Sequence, residues 1–127
     1  MLKKTFLPIL LATVWISVSE FFRNEFLLKS YWTEHYTNLG LTFPSEPING
    51  AIWGLWSLLY AIGIFLISKG FSLVQTVFIS WFMGFVLMWV VTANMAVLPL
   101  SILWYAIPLS VLEAFVASFI IIKLNSK

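Results

Sequence analysis

Apolar residues run along this chain in four long blocks, and polar residues fall between the blocks or near their ends. The blocks, residues 5–28, 47–68, 73–98 and 102–122, are each close to the ~20 residues a helix needs to cross the hydrocarbon of a bilayer. Local signals agree with that division. Ser45 and Pro47 open the second helix, Lys69 and Gly70 close it, and Ser72 with Gln75 has the spacing of a capping box for the third. Pro99 and Ser101 separate the third from the fourth. The turns after the second and third blocks are short enough to make those neighbours antiparallel. The pattern therefore predicts an all-α, polytopic membrane protein, an antiparallel bundle of four transmembrane helices forming a single transmembrane domain over residues 1–127.

The one long connection, residues 29–46, contains "SYWTEHYTNLG", with Trp32, Tyr36 and Leu39 at i, i+4, i+7 and a helix stop at Asn38, Leu39 and Gly40. It reads as a short interfacial helix in the first outer loop, its aromatic rings at headgroup depth.

Composition places the chain with membrane proteins. Of its 127 residues 61% are hydrophobic and 9% charged, far from the roughly 25% charged residues of soluble domains. Lys3, Lys4, Lys69, Lys123 and Lys127 fall on one side of the four-span arrangement. Glu25, Lys29, Glu34 and Glu46 fall on the other, with Arg23 close by. The positive-inside rule then puts both termini in the cytoplasm, and a bacterial inner (plasma) membrane is the expected location. A signal peptide is the competing reading of the start, because Lys3 and Lys4, an apolar core and the triplet Ser17, Val18, Ser19 match its three parts. Phe21, Phe22, Phe26, Leu27 and Leu28 carry the apolar pattern past that site, which favours a retained helix.

The chain has no cysteine, no aspartate and one histidine, His35, so no metal-ligand or thiol motif can be drawn. Basic residues never gather into a hydrophilic patch, which argues against nucleic acid as a partner. No nucleophile triad or phosphate loop is present, and the expectation is a protein that is not an enzyme and holds no cofactor.

In lipid, small residues mark the faces where helices approach closely. Gly50 and Gly54 form a GxxxG that Ser57, Ala61 and Ser68 prolong. Thr76, Ser80 and Gly84 mark the third span; Ala106, Ser110 and Ala117 mark the fourth. The Gly50/Gly54 face serves either packing within the chain or a homo-oligomer.

The chemistry lies in a few polar residues. At 100° per residue, Thr13, Ser17, Glu20 and Asn24 share a stripe on the first span, and Glu20 pairs with Arg23 at i+3. Rise per residue puts Glu20 about 24 Å beyond Lys4, near the outer boundary, and Glu113 about 15 Å from Lys123, near the midplane. Small neighbours turn Glu113 into the bundle. There it is expected to be protonated or to share a proton, with Thr13, Ser17, Ser57, Tyr60, Ser80 or the Gly84 carbonyl as partner. An outer cluster of Glu20, Arg23, Asn24, Asn49 and Asn94 is expected above it, with His35 higher still. The function expected from these residues is that of a proton-linked transporter or channel subunit using a buried carboxylate, its ion or small-molecule ligand unspecified. The alternative is a non-enzymatic binding or scaffold protein whose polar residues are structural.

Length, four spans and a membrane glutamate resemble the small multidrug resistance transporters. That family's glutamate lies in the middle of its first helix and Glu20 near the end, so no residue role is carried over. The segments "FLLKSYW" and "WFMGF" and the whole layout resemble uncharacterised small four-helix bacterial integral membrane proteins, which implies the same fold and no particular activity.

Overall fold

The computed structural model describes residues 2–44 and 46–125, with side chains from residue 4 onward. The expectations resting on Ser45, on Lys127 and on the Lys3 side chain lie outside these. The protein is all-α, with no strand among the described residues. Four helical stretches are long and apolar enough to cross a membrane: Lys4–Leu27, Pro47–Ser68, Leu73–Asn94 and Leu100–Asn125.

Helix α1 (Leu2–Phe21) runs into a wider π-turn (Phe22–Leu27), which ends where Leu28 leaves helical geometry and its N–H donates to the Arg23 carbonyl at 2.9 Å. A short helix, α2 (Lys29–Asn38), follows and stops at Gly40. There φ is +76°, and the Leu41 N–H donates back to the Tyr36 carbonyl at 2.8 Å, the left-handed stop expected of Asn38-Leu39-Gly40. Helix α3 (Pro47–Ser68) starts with proline in its first turn and with Glu46 and Asn49 capping each other reciprocally, the Glu46 N–H donating to Asn49 Oδ1 at 3.1 Å. Helix α4 (Leu73–Trp81) opens on the expected Ser72/Gln75 capping box. A π-turn (Phe82–Val86) joins it to α5 (Leu87–Asn94). A 3-10 turn (Leu100–Ile102) leads into α6 (Leu103–Asn125).

The third apolar block thus ends its helix at Asn94, four residues before the expected position 98. Pro99 pushes its predecessor toward extended geometry, and Ala96 is held at φ +64°, so the chain cannot stay helical there.

Packing links α1 to α3 and α6, α4 to α3 and α6, and α3 to α6. Where these helices meet, Ala12 and Ile16 of α1 pack on Ala61, Ile64 and Phe65 of α3 and on Ala117 and Ile121 of α6. Alanine on all three helices lets the backbones come close, as packing in lipid requires. Asn125 Nδ2 donates to the Lys4 carbonyl at 2.8 Å, which sets the start of α1 beside the end of α6. A second cluster of Leu28, Leu98 and Ile102, with Tyr31, Trp32 and Trp89 around it, joins α2 to the segment before α6. Val14, Val18 and Phe21, like Leu55, Leu59 and Leu66, point outward and leave an apolar exterior that suits contact with acyl chains.

The small-residue faces divide. Ser57, Ala61, Thr76, Ser80, Ala106, Ser110 and Ala117 are buried as expected. Gly50 and Gly54 are not used within the chain: a Cβ at either would meet nothing within 4 Å. Gly84 is used, since a Cβ there would lie 2.5 Å from the Tyr60 ring.

Candidate functional site

The buried face of α1 is Ala12, Ile16, Glu20 and, across the start of the π-turn, Arg23. Thr13 and Ser17, on the stripe with Glu20 and Asn24, lie at the edge of that face and are only partly buried. Thr13 Oγ1 donates to the Ile9 carbonyl one turn back at 2.7 Å, so its hydroxyl needs no partner from another helix. The outward residues Phe22 and Phe26 flank Arg23 on the π-turn, whose extra residue per turn aims the guanidinium into the protein.

Arg23 is the chain's single arginine, and it lies between two acids. Nη2 pairs with Glu20 Oε2, and Nη1 donates to Glu113 Oε1 of α6 at 3.3 Å. All three side chains are shielded, with Glu113 completely buried. The Arg23 guanidinium carbon sits 5.3 Å from the centroid of the Phe85 ring, a cation–π contact that closes one side. Asn24 Nδ2 donates to Glu20 Oε2 and to the Glu20 carbonyl, both at 3.1 Å. Trp32 Nε1 of α2 donates to Asn24 Oδ1 at 3.2 Å, and Trp15 Nε1 donates to the Glu113 carbonyl at 3.0 Å. One chain of polar contacts therefore runs from α2 through the π-turn to the middle of α6.

The partner of Glu113 is thus Arg23, and none of the hydroxyls expected in that role. Tyr60 OH donates to the Ser80 carbonyl at 3.0 Å, Ser80 Oγ to the Thr76 carbonyl at 2.6 Å, and Ser57 Oγ to the Trp53 carbonyl at 3.0 Å. Each hydroxyl is committed to a backbone oxygen. Backbone rise alone puts Glu20 and Glu113 about 9 Å apart in depth. A long arginine turned inward closes that gap.

The expected outer cluster forms only in part. Glu20, Arg23 and Asn24 are together. Asn49 instead caps α3, and Asn94 is exposed at the end of α5. His35 Nε2 lies 2.7 Å from the Ala96 carbonyl and ties α2 to the loop after α5. Trp15 and Phe85 carry no individual signal in the sequence, where Trp and Phe are too numerous, and Trp32 reads there only as an interfacial aromatic.

Two carboxylate oxygens in this set, Glu20 Oε1 and Glu113 Oε2, are buried without a hydrogen-bond partner. The set therefore keeps acceptor capacity that the surrounding protein does not use. Comparisons with family models, curated proteins and solved structures find no match for this chain.

Proposed function

We propose that this protein is a proton-linked transporter or channel subunit built around the Glu20–Arg23–Glu113 set. In this reading the four apolar helices cross the membrane antiparallel as one domain with both termini cytoplasmic, and α2 lies at the outer interface. The observation that carries it is the fully buried Glu113 bound to an arginine from another helix. Burying an ion pair gains little stability over an apolar replacement of the same volume, which makes an ionisable group among transmembrane helices a functional candidate before a structural one. Trp56, Tyr60, Phe85 and Trp89 fill the space beside the set, so the pathway forms between copies of the chain.

Proton flux in liposomes under an imposed pH gradient tests this. Glu113→Gln should lower flux at least tenfold relative to the parent. Equal flux in both would remove Glu113 from the mechanism.

The unfilled notch at Gly50 and Gly54 favours a second reading, a non-enzymatic scaffold whose α3 packs against a second copy or a partner helix. Gly54→Ile would then abolish association, while Glu113→Gln would leave it intact.

A further inference from the structure

We infer that the Glu20–Arg23–Glu113 set binds one proton, shared between the two carboxyl groups through their two unpartnered oxygens. The inference deepens the transport reading by giving the proton's number and its place between two named oxygens, and it rests on that reading only for its physiological use.

Charge comes first. Two carboxylates and one guanidinium sum to one negative charge, in a place where an unpaired charge is costly. One added proton makes the set neutral. Geometry then places it. Arg23 uses Nη2 on Glu20 and Nη1 on Glu113, so both acids are bound to one cation and lie side by side. Their remaining oxygens, Glu20 Oε1 and Glu113 Oε2, are buried and unpartnered. A single O–H donated from one carboxyl to the other satisfies both at once, which no other single group here can do.

The neighbours supply no donor that serves both oxygens. From α1 come Ser19 and Glu20, from the π-turn after it Arg23, from α3 Tyr60, from the π-turn after α4 Phe85, and from α6 Glu113 itself; the Ser19 hydroxyl faces Glu113 and has one proton to give, which leaves Glu20 Oε1 unpartnered. The Tyr60 hydroxyl is spent on the Ser80 carbonyl, and Asn24 Nδ2 is spent on Glu20. A metal cation fits poorly. A hard cation takes six or more oxygens, whereas this set offers two free carboxylate oxygens beside a guanidinium and an aromatic face.

Infrared spectroscopy of the protein in lipid tests the inference without any flux measurement. At neutral pH the parent should show one protonated carboxyl stretch that shifts in D2O. Glu20→Gln and Glu113→Gln should each abolish it, because each leaves Arg23 with a single carboxylate and a neutral set. Glu25→Gln, which alters an acid paired with Lys29 on the outside of the π-turn, should leave it in place. Where a variant fails to assemble, the parent spectrum decides: five glutamates that are all ionised overturn the shared proton. Persistence of the band in both Gln variants overturns it too. A band without flux defeats transport and leaves the proton; flux without a band defeats the proton and leaves transport.

Discussion

Arg23 Nη1 and Glu113 Oε1, 90 residues apart in the chain, meet at 3.3 Å where α1 gives way to its π-turn and α6 passes behind it. That contact joins the first and last long helices through a charge pair in an interior whose other buried polar side chains are Glu20 and serine and threonine hydroxyls. Glu20 occupies the other arm of the same guanidinium. Arginine suits the position because its planar fork presents separate donors to two carboxyl groups, which the point charge of lysine does not.

Removing the cation should therefore cost more than removing either acid. Arg23→Gln leaves two acids facing each other with no cation and should lose roughly 3–5 kcal/mol. Glu113→Gln keeps the Glu20–Arg23 pair and an amide oxygen for Nη1, and should lose no more than about 1.5 kcal/mol. Denaturant unfolding in detergent gives both values. The reverse order would contradict the shared-guanidinium arrangement.

Gly84 and Gly54 should respond in opposite ways to alanine. At Gly84 the new Cβ meets the Tyr60 ring at 2.5 Å, so the ring must move and its bond to the Ser80 carbonyl breaks, a loss of about 1–3 kcal/mol. At Gly54 nothing lies within 4 Å, and alanine should stabilise the isolated chain by about 0.5–1 kcal/mol. Thermal unfolding of the two variants in detergent at monomeric concentration checks the contrast.

Ala96 carries a left-handed backbone at φ +64°, and its carbonyl accepts the His35 contact. Ala96→Gly should stabilise the protein by about 1 kcal/mol, since glycine adopts that geometry without a Cβ clash. His35→Ala should lose about 1 kcal/mol and speed amide exchange in α2 while leaving α3 unchanged. Hydrogen exchange read by mass spectrometry separates the two helices.

Tyr31, on α2, is held above the ordinary phenol range by a hydrogen bond to Tyr105. Folding favours its neutral form. Whatever this contributes is present at neutral pH and is lost as pH rises through the raised value. Phenolate absorbance should show Tyr31 titrating lower in Tyr105→Phe than in the parent, and an unchanged curve would remove the bond.

Much of this was legible in the chain, for identifiable reasons. The four apolar blocks, the Ser72/Gln75 cap and the stop at Gly40 are short-range signals that tertiary packing did not override. Glu20, Arg23 and Asn24 stand one turn apart, so their association could be read directly. The π-turns were not legible, because a fixed 100° per residue cannot represent them. The meeting of Arg23 with Glu113 is hidden in the sequence for a related reason: backbone rise locates Cα atoms, while a long side chain decides which depth its charge occupies. Asn49 and Asn94 looked like site residues from depth alone, yet Asn49 is engaged at its helix end and Asn94 faces outward.

The most direct measurement is a solid-state NMR distance experiment in bilayers, with 15N on the guanidinium of the sole arginine and 13C on the glutamate carboxyls. Two of the five carboxyl carbons should dephase strongly, and Glu113→Gln labelled only at glutamate should reduce them to one. Dephasing of a single carboxyl in the parent would contradict the account, because Arg23 would then hold Glu20 alone and Glu113 would have another partner.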